Sequence, residues 1–265
     1  MKNKIMMISL IALVAMMLAP LAVSAQKHYD DDGAYTERDQ IDQTYQLAAG
    51  ARVEVRGING TVDIETAAGA TAEVHVVRLA RNRDDLEYHK IYVEQTAGGG
   101  LIVRGEEKNN DRGEHQVRHR VSLRLPRQID LKVSGVNGRA TVGPVDGPIQ
   151  MSGINGAVEV GQAVGYADIS GINGHVKVNI VRLGERGIHV SGVNGGVEIQ
   201  FAEDLNADVE VTGINGRVNA DVPNVTVMGK LEKNNFRARV GTGGTPINIS
   251  GVNGSVKLTR GGLAG

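Results

Sequence analysis

The sequence predicts an all-β protein: a parallel β-solenoid of Asn-Gly-cornered coils, preceded by a smaller antiparallel β layer. Three observations predict it. The unit Gly-Ile/Val-Asn-Gly occurs seven times, beginning at Gly57, Gly135, Gly153, Gly171, Gly192, Gly213 and Gly251. From the second copy on, these first glycines lie 18, 18, 21, 21 and 38 residues apart, and a regular interval of that size marks stacked repeats. Glycine supplies 36 of 265 residues and aromatics only 3%, which suits short strands and tight turns better than helices packed through large side chains.

Taken in order, residues 1–25 read as a secretory signal peptide. Lys2 and Lys4 make a basic start, Ile5 to Leu18 is almost wholly apolar, and Val23-Ser24-Ala25 offers small residues for cleavage before Gln26. Ile5 to Val23 is also long enough to span a bilayer. Pro20 and the small residues favour cleavage, after which no membrane insertion is expected. The expected location is outside the cytoplasm: periplasm, cell surface or medium. The chain has no Cys, so neither a lipid-modified cysteine nor a disulfide is available, and stability must come from packing and hydrogen bonds. Formal net charge is -1; loss of Lys2 and Lys4 leaves 27 basic against 30 acidic residues, or -3. That balance offers no general field for nucleic acid.

Residues 26–48 form a polar leader with Asp30, Asp31 and Asp32 in a row. Residues 49–130 read as an antiparallel β region capping the solenoid. Within it, Thr71 to Arg78, Lys90 to Glu94, Leu101 to Gly105 and Val121 to Leu125 alternate apolar with polar, as half-buried strands do. Asn109 to Arg120 is densely charged and is expected to be an exposed loop. Residues 131–265 are the repeat β-solenoid. Its last interval is nearly two periods, and Asn235 fits a decayed copy there, with Ala238 and Val240 in the apolar third and fifth places after it. Phe236 then stands where the motif has Gly, a costly exchange if that place needs a positive φ.

Asn-Gly between apolar runs is also the strongest short-range hairpin signal. Side-chain parity argues against hairpins here. In a hairpin at Asn173-Gly174, Ile172 would pair with His175 and share a face with Ser170 and Lys177, while Ile169, Val176 and Val178 took the other. A corner resolves this, because glycines on both sides let the backbone bend and turn Ile172 inward. Stacked corners about 4.8 Å apart would align Asn137, Asn155, Asn173, Asn194, Asn215 and Asn253 as a structural turn ladder. The side-chain amide suits that role because it donates and accepts. A Ser/Thr column (Ser134, Ser152, Ser170, Ser191, Thr212, Ser250) would run beside it.

These Ser/Thr-Gly-Ile/Val-Asn-Gly units, the signal peptide and the segment from Leu123-Arg124-Leu125-Pro126 to Leu131-Lys132-Val133 together resemble the putative-adhesin family of secreted bacterial proteins with β-helical repeats. The likeness runs from about Ala51 to Leu258. It implies surface binding and supplies no catalytic residue. Family members often carry Asp after Asn-Gly; here Thr61, Arg139, Ala157, His175, Gly196, Arg217 and Ser255 stand there, so no shared ligand follows.

No motif commits the chain to chemistry, and neither catalytic residue, cofactor nor metal is assigned. Gly241-Thr242-Gly243-Gly244-Thr245 lacks the Gly-Lys-Ser/Thr ending of a phosphate loop and reads as a turn. His115 and His119 have a metal spacing only on a helix, and a solvated charged loop is the expectation. Asp30 to Gly33 lacks the alternation and distal Glu of a calcium loop. His175 is expected at the surface. A β-helical glycan enzyme would need paired acids on one face. The outward places instead mix Glu159, Lys177, Glu198, Asn219 and Lys257, and the repeats hold only Tyr166, Phe201 and Phe236 as aromatics. The expected function is therefore a non-enzymatic, adhesin-like protein binding an envelope or surface partner, protein or glycan. The alternatives are an envelope-stress or regulatory binding protein and a glycan-active enzyme.

Overall fold

The computed structural model describes residues 35–108, 115–202, 205–222, 225–228 and 235–260. The expected signal peptide and the Asp30 to Gly33 run lie outside the described residues. The first strands are β1 (Glu37–Gln46), β2 (Arg52–Ile58), β3 (Gly60–Ala67) and β4 (Thr71–Ala80). A short helix α1 (Arg83–Tyr88) precedes β5 (His89–Gln95), β6 (Leu101–Glu107) and β7 (Val117–Pro126). The repeats follow as β8 (Asp130–Val136), β9 (Ala140–Val145), β10 (Ile149–Ile154), β11 (Val158–Ile172), β12 (Val176–Asn194) and β13 (Val197–Phe201). Last come β14 (Ala207–Thr212), β15 (Val218–Asp221), β16 (Val225–Val227), β17 (Asn235–Val240), β18 (Thr245–Asn253) and β19 (Val256–Arg260).

Among the described residues all nineteen strands belong to one mixed sheet, nearly closed as a barrel, and this overturns the expected parallel β-solenoid with a separate antiparallel layer. Two findings make the correction. The first motif copy is not part of an antiparallel layer: β2 pairs in parallel with β6 and β8, and β3 with β7 and β9. Antiparallel pairs lie within the same sheet at both sides of the parallel ones, β1–β4, β4–β7 and β5–β6 on one side and β14–β17 and β16–β17 on the other. The motif spacing reported only on the strands that carry the motif, and the irregularly spaced strands return antiparallel to them. Residues 37–46, expected in the leader, are β1, and 117–120, expected in a loop, begin β7.

Two walls face each other across the core. One places β2, β8, β10, the second half of β11, the second half of β12, β18 and β14 side by side in parallel. The other places β3, β9, the first halves of β11 and β12, β13, β19 and β15 likewise. Apolar residues at every second place line up in columns between them. Val53, Leu131, Ile149, Ala167, Ile188, Ile247 and Val209 are direct neighbours in series, each at most 2% exposed. At about 1.5–3 kcal/mol for each fully buried Val or Ile, these columns supply the main drive for folding.

The Asn-Gly turns join the walls and do not form hairpins: β8 and β9, which flank Asn137, pair with β10 and β11 and not with each other. The two glycines serve different needs. The first is left-handed, with φ of +62° at Gly171. The second is required by crowding: a Cβ on Gly174 would stand 2.5 Å from the Gly156 carbonyl carbon.

Stacking order departs from chain order at one place. The seventh repeat, β18 and β19, lies between the fifth and the sixth: β18 pairs with β12 on one side and β14 on the other, and β19 with β13 and β15. Asn235 is no decayed copy, for it opens β17, which runs antiparallel to β14 with Asn235 opposite Thr212. Phe236 is buried there.

Candidate functional site

The repeated turns place seven asparagines along one ridge. Asn137 Nδ2 donates to Asn59 Oδ1 (3.1 Å), Asn155 to Asn137 (2.9 Å), Asn173 to Asn155 (2.8 Å) and Asn194 to Asn173 (3.0 Å). Asn253 then donates to Asn194 (3.0 Å) and Asn215 to Asn253 (3.1 Å), the order the inserted repeat dictates. Every bond points the same way, so each amide polarises the next. The backbone holds the series in register, as where Asn155 N–H donates to the Val136 carbonyl at 2.8 Å. All but Asn59 are exposed. Each interior amide spends one N–H and one lone pair on its neighbours and keeps one of each.

Beside the ridge runs the half-buried column Ser134, Ser152, Ser170, Ser191, Ser250 and Thr212. The outward places of the second wall alternate in charge: Glu159, Lys177, Glu198 and Lys257 are successive neighbours, with Lys257 Nζ 3.7 Å from Glu198 Oε1. A hydrogen bond from Gln200, then the nearby Lys257, Lys177 and His175, hold the Glu198 carboxyl below its ordinary pKa. This wall thus carries paired charge, and the ridge carries polar groups without charge. His175 is exposed.

The ladder is anchored in a cluster of buried polar side chains. Asn59 Nδ2 donates to the Val117 carbonyl (2.8 Å), and Asn59 N–H donates to His119 Nδ1 (3.1 Å). His119 is 1% exposed, which corrects the expectation of a solvated loop. Burial, then the His89 and Arg78 charges, push its pKa down to about 4. The ring is therefore neutral at pH 7, as an acceptor must be. Asp85, capped within α1 by Asn82, lies 2.9 Å from His115 Nδ1, and Tyr88 stacks on the His115 ring at 3.9 Å. Arg78 donates to the Leu86 and His89 carbonyls and pairs with Asp39. The cluster fastens α1 and β7 to the start of the ladder. Among the described residues no three His, Asp or Glu converge as metal ligands.

An open depression of about 510 Å³ is lined by Asp146, Arg182, Leu183, Leu205, Asn206 and Thr245. Arg182 and Asp146 are its charged lining groups, and neither Glu159 nor Glu198 lines it. The Gly241 to Thr245 segment turns beside it, with Thr242 N–H bonded to Asn206 Oδ1 (2.8 Å) and Gly244 N–H to Asp208 Oδ2 (3.0 Å).

Two features of the site escaped the sequence reading. Asn59 falls within the expected capping region, yet Val62 and Ile64 follow it at the same third and fifth places as in the other copies. His119 belongs to the alternation Val117, His119, Val121, Leu123, which places it on the core side.

No family model matches the chain, and no curated protein matches it. Among solved structures, it is similar to one described as a putative cell adhesion protein from Clostridium sporogenes, at 15% identity and a TM-score of 0.40, over 84% of this chain and 100% of that one. A putative adhesin from Bacteroides fragilis matches at 9% identity and 0.32, over 83% and 97%. A putative lipid binding protein from Parabacteroides distasonis matches at 11% and 0.25, over 83% and 95%. The likeness is a partial one of backbone, and no residue role follows from it. Among the described residues no helix is long and apolar enough to cross a membrane.

Proposed function

We propose that the protein is an exported, non-enzymatic binding protein of the cell envelope, adhesin-like in action, and that the asparagine ridge is its contact surface. One observation carries this: seven amides bonded in series present unspent donors and acceptors at a fixed interval. A rigid row of this kind has already met the entropy cost of ordering its groups, which favours binding. Its spacing of about 4.8 Å suits an extended, uncharged polar polymer, and neutral envelope glycan is the partner expected. The alternating Glu and Lys of the second wall oppose a reading as a charged docking face.

The test is retention of the chain on immobilised envelope glycan, comparing wild type with Asn155→Asp and Asn194→Asp. These variants keep an acceptor and add charge to the ridge. Loss of retention by both, with folding intact, supports the proposal. Retention equal to wild type removes the ridge from the contact, and glycan cleavage abolished by a single carboxylate substitution would replace the non-enzymatic reading.

A further inference from the structure

The placement of the seventh repeat carries an inference about assembly. Consecutive elements are ordinarily neighbours in space, yet β18 and β19 separate the fifth repeat from the sixth. β13 and β14, consecutive in the chain, consequently lie two levels of the stack apart. The two sides of the slot carry matching columns. Ser250 lies between Ser191 and Thr212, Ile249 between Val190 and Val211, and Val256 between Val197 and Val218. Asn253 lies between Asn194 and Asn215 in the ladder.

Two consequences follow. If the insert leaves, β14 and β15 can drop one level onto β12 and β13 with every column still in register, so vacating the slot strands no backbone donors there. The released repeat meets an identical slot on any other copy of the chain. Its attachment also permits departure: β17 and β18 flank β14 on opposite sides, joined across the start of β14 by Gly241 to Gly244. Gly241 and Gly243 have φ of +59° and +77°. That bridge is held to β14 by the bonds to Asn206 and Asp208 alone among those described, besides its own Gly243 N–H to Val240 turn. Exchange of an identical element between copies preserves every contact except those of the hinge, which makes it a low-cost route to a dimer.

We infer that residues 245–260 are an exchangeable insert, and that the slot between the fifth and sixth repeats accepts this segment from a second copy of the chain. Exchange joins two copies reciprocally and leaves both ridges continuous.

The absence of Cys gives a clean test. One full-length preparation carries Ser191→Cys and another Ser250→Cys. The two are mixed, unfolded, refolded together and treated with a short thiol cross-linker. Exchange brings the two thiols side by side across chains, where the local concentration is in the millimolar range against micromolar for collision. Covalent heterodimer at least about tenfold above a Ser134→Cys plus Ser250→Cys mixture is expected, since Ser134 is several levels from the slot. A chain carrying both Ser191→Cys and Ser250→Cys controls for geometry. If it cross-links internally while the mixture stays at the control level, exchange is refuted. If it cross-links neither internally nor between copies although folded, the insert does not occupy the slot and the inference falls with it.

Discussion

Replacing Gly174 by Ala separates two reasons for glycine at these turns. A Cβ there would stand 2.5 Å from the Gly156 carbonyl carbon and closer to its oxygen. Ordinary contact needs about 3.4 Å, so adjacent repeats must part locally by close to 1 Å. The bonds flanking that point are Asn173 N–H to Ile154 O (2.9 Å) and Val158 N–H to His175 O (2.8 Å). Losing both costs about 2 kcal/mol, and loosened packing beside them brings the total to roughly 3 kcal/mol or more. Gly153→Ala meets only the Gly135 nitrogen at 3.7 Å, so its cost is that of a left-handed alanine at φ +61°, about 1–2 kcal/mol. Urea unfolding at constant m-value measures both. A Gly153→Ala variant less stable than Gly174→Ala would show that dihedral preference at the first place outweighs the approach of neighbouring backbones at the second.

Ile172 is 1% exposed, and Ile172→Ala should cost about 2–5 kcal/mol in the same assay. Asn173→Ala removes two ladder bonds at about 2.8 and 3.0 Å and should cost about 1–2 kcal/mol, whereas Asn235→Ala, outside the ladder, should cost distinctly less. For His119 the folded pKa lies below the ordinary 6.5, at about 4. Its contribution is therefore complete above pH 6.5 and is lost as pH falls toward 4, by about 3 kcal/mol in all. Unfolding midpoints at pH 7 and pH 4 measure this, and His119→Gln should narrow the difference; an unchanged difference would assign the acid sensitivity to other groups.

How much was legible depended on which residues carried a period. The motif and the apolar places after it identify turns, inward Ile and Val, and the residues of the ladder. That signal is carried by local chemistry: Gly153 adopts φ +61° and Ile154 is 1% exposed. The antiparallel strands were partly legible, since Val74 and Val76 alternate as buried residues do. Their membership of the same sheet was not, because pairing partners depend on connections whose length and charge carry no period. Tyr45 and Ile41 show why β1 was missed: only partly buried, they alternate with Gln, Asp and Thr and read as a solvated segment. The polar cluster at Asp85, His115 and His119 was hidden by composition, since a dense run of charge ordinarily signals solvent, whereas His115 bonds Asp85 of α1 and His119 is buried.

Stacking order was illegible for a deeper reason. Each repeat presents nearly the same columns on both sides, so the fifth accepts the sixth or the seventh with equal register. Val190 would meet Val211 as it meets Ile249, and Asn194 would meet Asn215 as it meets Asn253. Identical interfaces cannot specify sequence order among themselves; a choice has to come from elements that differ. Those are β17, whose Arg237 and Arg239 pair with Glu210 and Asp208, and the glycine bridge bound to Asn206 and Asp208. Among the repeat strands both act on β14, on the side and end that the insert leaves uncovered. The observed order is thus selected by a few polar contacts at one strand against a near-degenerate alternative. Substitutions at Asp208, which serves both the bridge and Arg239, should shift that choice more than equal losses elsewhere on the sheet.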